Sequence, residues 1–109
     1  MDGIDAAGVW LDICALDEIP RQGARVVKTR RGDVAVFRTL DDSVFALDDA
    51  CPHKVGKLSQ GIVHGHSVTC PLHNWVIGLD DGQAKAPDQG CVHRLGARLQ
   101  DGRIQLSLG

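Results

Sequence analysis

Four residues of this chain have the types and spacing to do chemistry together: Cys51, His53, Cys70 and His73. They form two short motifs, C-x-H and C-x-x-H, with sixteen residues between them. Each motif brings one sulfur and one imidazole nitrogen to the same place. Two sulfurs and two nitrogens from two loops are a metal-site signature, and the metal they point to is iron.

Two metals suit such a donor set. Structural zinc takes sulfur and nitrogen ligands in a tetrahedron, but zinc fingers pair Cys with Cys and His with His, usually feeding a helix. Here Cys and His alternate within each loop. Iron–sulfur clusters take thiolates, and one class replaces two of its four cysteines by histidines on a single iron. In that arrangement Cys51 and Cys70 bind the first iron, His53 and His73 the second. Pro52 and Pro71 stiffen the loops, while Gly56 and Gly61 permit tight backbone turns. Stiffness matters because an electron carrier works best when its geometry changes little between oxidation states.

The elements that must position these loops read as short strands. Val9 to Leu16 is apolar enough for a first strand, closed by a turn that ends at Pro20, which cannot donate to a ladder. Ala24–Lys28, Asp33–Thr39 and Val44–Leu47 supply three more, with turns at 30–33 and 40–43; Val34, Val36 and Phe37 are candidate core residues. After the second loop, Val76–Leu79 runs to the hairpin signal Asp80-Asp81-Gly82, and residues 87–90 form a further loop. The clearest hairpin is terminal. Ala97 and Leu99, a turn at Asp101-Gly102, then Ile104, Leu106 and Leu108 alternate with polar residues, which places the apolar side chains on one face. The passage between the two motifs reads as turn-rich. No twelve-residue window sustains a helical period without a glycine or proline. The expectation is an all-β chain, a small antiparallel sandwich or barrel, with a cluster-binding subdomain at 49–77 and a loose tail at 1–8.

With 109 residues there is room for one domain. Aromatics are few (two Trp, two Phe, no Tyr), so the core must rest on aliphatic residues, and thirteen glycines suit many turns. A net charge of −2 without a basic stripe gives no reason to expect nucleic acid. No apolar run is long enough to cross a membrane, and the acidic N-terminus lacks the pattern of a signal peptide. The expected compartment is the cytoplasm, where the four cysteines stay reduced, so that Cys51 and Cys70 with the two neighbouring histidines read as ligands rather than as a disulfide framework.

The motif pair C-P-H and C-P-L-H, followed by Trp75, resembles the Rieske [2Fe–2S] family. Within it, Leu58-Ser59-Gln60-Gly61-Ile62-Val63-His64-Gly65, then Val68 to Ile77 and the later Pro87-Asp88-Gln89-Gly90-Cys91, is similar to one branch. That branch is the small subunit of NAD(P)H-dependent assimilatory nitrite reductase, and the likeness spans nearly the whole chain. It implies a Rieske cluster on Cys51, His53, Cys70 and His73, and a large catalytic subunit carrying FAD, sirohaem and a [4Fe–4S] cluster. Two departures stand out. The branch has Gly-Gly-Pro-Leu after its first Cys-Pro-His-Lys, whereas this chain has Val55-Gly56-Lys57-Leu58. Respiratory Rieske proteins carry an extra cysteine in each loop, joined as a disulfide; Gly56 and Leu72 stand there instead. A bridge between the loops is impossible, which agrees with the lower end of the range of about −150 to +300 mV.

Other residues have plainer expected roles. Cys14, in an apolar strand, and Cys91 are read as packing residues. His64 and His66, flanking a glycine in a hairpin turn, are read as solvated, with a partner contact as the alternative, and His93 is unassigned. Trp75 is expected to pack beneath the second loop and Trp10 to join the core. Lys54 and Lys57 are either solvated charges or a basic border that steers a redox partner.

The chain has no nucleotide or nitrite site legible in its sequence, so its expected part is electron relay or stabilisation of a complex, not catalysis alone. The competing readings are a free Rieske ferredoxin feeding an aromatic-ring dioxygenase and, from a different class, a zinc-bound or metal-free interaction module.

Overall fold

A computed structural model describes residues 10–30, 32–50, 57–71, 74–85 and 90–107. The tail at 1–8, Cys51 to Gly56, Leu72, His73, most of the 87–90 loop and Leu108 lie outside the described residues.

Among the described residues there are nine strands, two single-turn 3-10 segments and no α-helix. The strands are β1 (Leu11–Ala15), β2 (Gly23–Thr29), β3 (Gly32–Arg38), β4 (Val44–Asp48), β5 (Ile62–His64), β6 (Ser67–Thr69), β7 (Val76–Gly78), β8 (Arg94–Gln100) and β9 (Arg103–Ser107). The 3-10 segments are Leu16–Glu18 and Leu58–Gln60. Six strands form one sheet in the order β1-β9-β8-β4-β3-β2; β5-β6-β7 form a second. Every pairing is antiparallel. The fold is therefore the all-β, Rieske-like architecture the sequence implied, with the small sheet inserted between β4 and β8.

Local chemistry explains the best-defined turn. Between β8 and β9, Asp101 (φ 52°) and Gly102 (φ 77°) both take the left-handed conformation that a two-residue hairpin matching strand twist requires. Its alternation is only partly as expected. Leu95, Ile104 and Leu106 are buried, but Leu99 at the turn end is exposed, because β8 runs out beyond the core there.

The large sheet has two buried faces. Val34, Val36, Ala46, Leu95, Ile104 and Leu106, with Cys14 and Ile19, pack in one core. Ala35, Phe37 and Leu47 point the other way, onto Leu58, Val63, Val68, Cys70, Ile77, Leu79 and Val92 around the small sheet. Residues 34 to 38 of β3 are consequently all buried, and alternation disappears from that strand. Arg38 is buried at its end, where its guanidinium donates to the carbonyls of Leu16 (3.2 Å) and Ile19 (2.8 Å) and to Asp42 (2.9 Å). That fork ties the first 3-10 turn to β3.

Three expectations about packing are corrected. Trp10 is half-buried outside both cores, lying over Gly96 with the Arg98 guanidinium 4.3 Å from its ring. Cys91 is exposed, held by a single bridge to Gln83, whereas Cys14 is buried as expected. The passage read as turn-rich holds β5 and β6, the strands on either side of the hairpin turn read at Gly65; strands of three residues carry too little periodicity to be bounded from sequence.

Candidate metal centre

Cys70 is the one proposed ligand among the described residues; Cys51, His53 and His73 lie outside them. It follows β6 directly and is fully buried at the rim of the core around the small sheet. The ladder β6–β7 ends at the pair Thr69 and Val76, and the Cys70 N–H extends it by donating to the Trp75 carbonyl at 2.7 Å. Cys70 and Trp75 thus face one another at the end of that ladder. Asn74, at φ 57°, takes a left-handed conformation that asparagine tolerates. Trp75 packs against the core that includes Cys70.

The base of the first loop is equally defined. Asp49, directly after β4, is 8% exposed. Its N–H donates to the Asp33 carbonyl (3.1 Å), and the preceding Asp48 N–H donates to His93 (3.0 Å). The Asp49 carboxylate accepts from Ser59 twice, from the backbone N–H and from the hydroxyl, each at 2.8 Å. Ser59 lies in the second 3-10 turn, whose Leu58 is fully buried. Sequence reasoning missed Asp49; its only signal was an acidic residue two positions before a Cys-Pro-His motif.

Gly61 works otherwise than the sequence suggested. Its backbone (φ −83°, ψ −177°) is open to any residue, but a Cβ there would come within 2.3 Å of the Thr69 carbonyl oxygen. Glycine is required by the close approach of the first loop's trailing end to β6, one residue before Cys70.

The polar residues nearby are more engaged than expected. Lys57 lies 3.8 Å from Asp33, which also holds Lys28 at 3.3 Å. His66 is exposed yet partnered, its Nε2 3.1 Å from the Asp41 carboxylate and its ring tilted against Phe45. His64 shares a 2.7 Å hydrogen bond with Thr69. A shallow depression lined by Gln22, Leu40, Asp41, Gly65 and His66 lies at the turn end of the small sheet, opposite the Cys70 end. Among the described residues no three His, Cys, Asp or Glu side chains converge on a metal position.

The chemistry of the donors fits an iron–sulfur group: Cys70 is a free thiol whose surroundings are apolar and closed to water. Among the described residues it has no disulfide partner, and the residues bordering the two loops, Asp49, Ser59, Cys70 and Trp75, are held by backbone and carboxylate contacts.

Comparison with known proteins agrees. The profile of the Rieske-like [2Fe-2S] domain matches residues 9–107. The chain is 33% identical over 101 residues to the anthranilate 1,2-dioxygenase ferredoxin subunit of Burkholderia cepacia, covering 92% of this chain and 93% of that one. It is 37% identical over 100 residues to the 3-phenylpropionate/cinnamic acid dioxygenase ferredoxin subunit of Photorhabdus laumondii, covering 90% and 93%. A candidate NADH-dependent nitrite reductase small subunit from Mycobacterium tuberculosis superposes with a TM-score of 0.80 at 32% identity, covering 90% and 93%. The Escherichia coli protein NirD does so with 0.77 at 32% identity, covering 90% and 94%. With the fold, the buried thiol and these likenesses in agreement, this chain belongs to the Rieske-like [2Fe-2S] domain family, an electron-transfer domain with a Rieske-type cluster as its cofactor.

Proposed function

We propose that this chain is the small, cytoplasmic electron-transfer subunit of an NAD(P)H-dependent nitrite reductase. Its single domain holds the cluster within residues 49–77, on Cys51, His53, Cys70 and His73. The observation that carries this reading is the run Leu58 to Gly65 and Val68 to Ile77, which resembles that branch and builds the small sheet and its trailing turn. The 32% identity with the small subunit from Mycobacterium tuberculosis supports it. The partner is the large catalytic subunit, bearing FAD, sirohaem and a [4Fe–4S] cluster, which takes electrons from NADH or NADPH and reduces nitrite to ammonium. When bound, the Rieske cluster supplies one-electron redox chemistry. The chain's own residues supply enclosure and stiffness: Trp75 and the core around Cys70 exclude water, and the β6–β7 ladder fixes the start of the second loop.

A second reading, a free ferredoxin for an aromatic-ring dioxygenase, is favoured by the 33% and 37% identities with dioxygenase ferredoxin subunits. Anaerobic purification from the native host decides between them. The expected result is a red-brown chain that co-purifies with a large sirohaem protein, with an EPR signal on reduction whose average g lies below that of all-cysteine clusters. Co-purification with an oxygenase instead would establish the second reading. A colourless chain with stoichiometric zinc would end both. His53→Ala and His73→Ala should lose the visible spectrum while far-UV circular dichroism stays β; an unchanged spectrum would refute the ligand assignment.

A further inference from the structure

Asp49 and Ser59 are ten residues apart, and the segment between them contains Cys51 and His53. Both carboxylate oxygens of Asp49 are used on the one serine, at 2.8 Å each. Burying a carboxylate is costly unless hydrogen bonds replace its water, and an apolar residue would fill the same space without that cost. The contact is therefore specific.

What it connects is more telling than its strength. On one side, the Asp49 N–H is bonded to the end of the large sheet at Asp33, and Asp48 to His93. On the other, Ser59 lies between the buried Leu58 and Gly61, and Gly61 is pressed against the Thr69 carbonyl next to Cys70. One unbroken series of contacts thus runs from the large sheet through Asp49 and Ser59 to the start of the second loop. It closes the base of the first loop and sets it in register with Cys70. Fixing the ends of a loop removes the entropy its ligands would otherwise lose on binding.

We propose that the Asp49–Ser59 clasp is the positioning device of the first ligand loop, fixing the two residues that bound it, Asp49 and Ser59, relative to Cys70. This rests on the reading of Cys51 and His53 as ligands. Neither Asp49 nor Ser59 touches the metal; both act through the loop they close.

The test uses the full-length holoprotein and three variants. Asp49→Ala removes the clasp. Ser59→Ala removes the hydroxyl contact and keeps the backbone one. Asp49→Asn keeps both contacts, since an amide accepts through Oδ1 and donates through Nδ2. The readout is the rate of iron release to a ferrous chelator in native buffer, paired with amide exchange across the chain. Asp49→Ala should release iron faster by about tenfold, in line with the effect of losing outer-shell support. Ser59→Ala should fall between that and wild type, and Asp49→Asn should stay close to wild type. Exchange should quicken at the Ser59 amide and remain unchanged in β8 and β9. Wild-type iron release by Asp49→Ala would overturn the proposal. So would exchange accelerated equally in β8 and β9, because that marks a general loss of stability. If His53→Ala retained the full cluster spectrum, the ligand reading would be the failure, and a quickened Ser59 amide would still report the clasp.

Discussion

Asp41 shows how a single side chain can join parts of the chain distant in sequence. It sits in the β3–β4 turn, where its carboxylate accepts from the Thr39 hydroxyl and the Ser43 amide and meets His66 from the β5–β6 hairpin. These hydrogen bonds, the Thr39 one first and the His66 one next, hold its carboxyl well below the usual carboxylate range. Asp12, bonded to Arg103, and Asp42, bonded to Arg21 and Arg38, are lowered in the same way. The sign follows from linkage. A carboxyl whose folded value is depressed stabilises the fold above its unfolded value, about 3.9, and loses that contribution as pH falls toward the folded one. Asp41→Asn should lower the melting temperature at neutral pH, and its curve should converge with wild type as pH drops below about 4. A melting series by circular dichroism checks this; parallel curves down to acid pH would show that Asp41 contributes nothing through its charge. Asp41 and His66 are 25 positions apart, so this pair could not be read from the chain. The Cys and His motifs, by contrast, could be picked out because their spacing within each loop is local.

At the scale of elements, the small sheet depends on how closely its strands approach the turn that precedes them. A methyl group at Gly61 would meet the Thr69 carbonyl at 2.3 Å, Val68 at 3.0 Å and the Leu58 carbonyl at 3.2 Å. Two of these are backbone atoms that cannot rotate away. Gly61→Ala should cost about 1–3 kcal/mol in urea unfolding, the usual range for overpacking, and should reduce cluster content in the purified protein. A loss of only a few tenths would mean the turn can retreat from β6. The terminal hairpin was legible because Asp101-Gly102 states its turn conformation locally. Of β5 and β6 only the connecting hairpin turn at Gly65 was legible, because three-residue strands are defined by their partners.

For the whole molecule the central fact is that β3 belongs to two cores. Phe37 and Ala35 face the small sheet and Cys70; Val34 and Val36 face the core closed by β1 and β9. Phe37 is among the largest fully buried side chains, so Phe37→Ala should cost about 3–5 kcal/mol in denaturant unfolding. A cost below about 1 kcal/mol would show that the two sheets barely depend on one another for stability. Because Phe37 and Cys70 share one core, this substitution joins the stability of the fold to that of the candidate site. Two-sided burial also explains why β3 lacks the alternation that marks β9.

By itself the sequence determined the all-β class, the turn at Asp101-Gly102 and the branch that residues 58–77 resemble, and it named the proposed donors Cys51, His53, Cys70 and His73. Each is written in residue types a few positions apart. Tertiary structure decided the rest: that Asp49 is clasped to Ser59, that Gly61 is a point of close approach, that Cys91 and Leu99 stay outside the core, and that β3 is buried on both faces. These depend on which distant segments meet, and a backbone that meets another leaves no mark in its own periodicity.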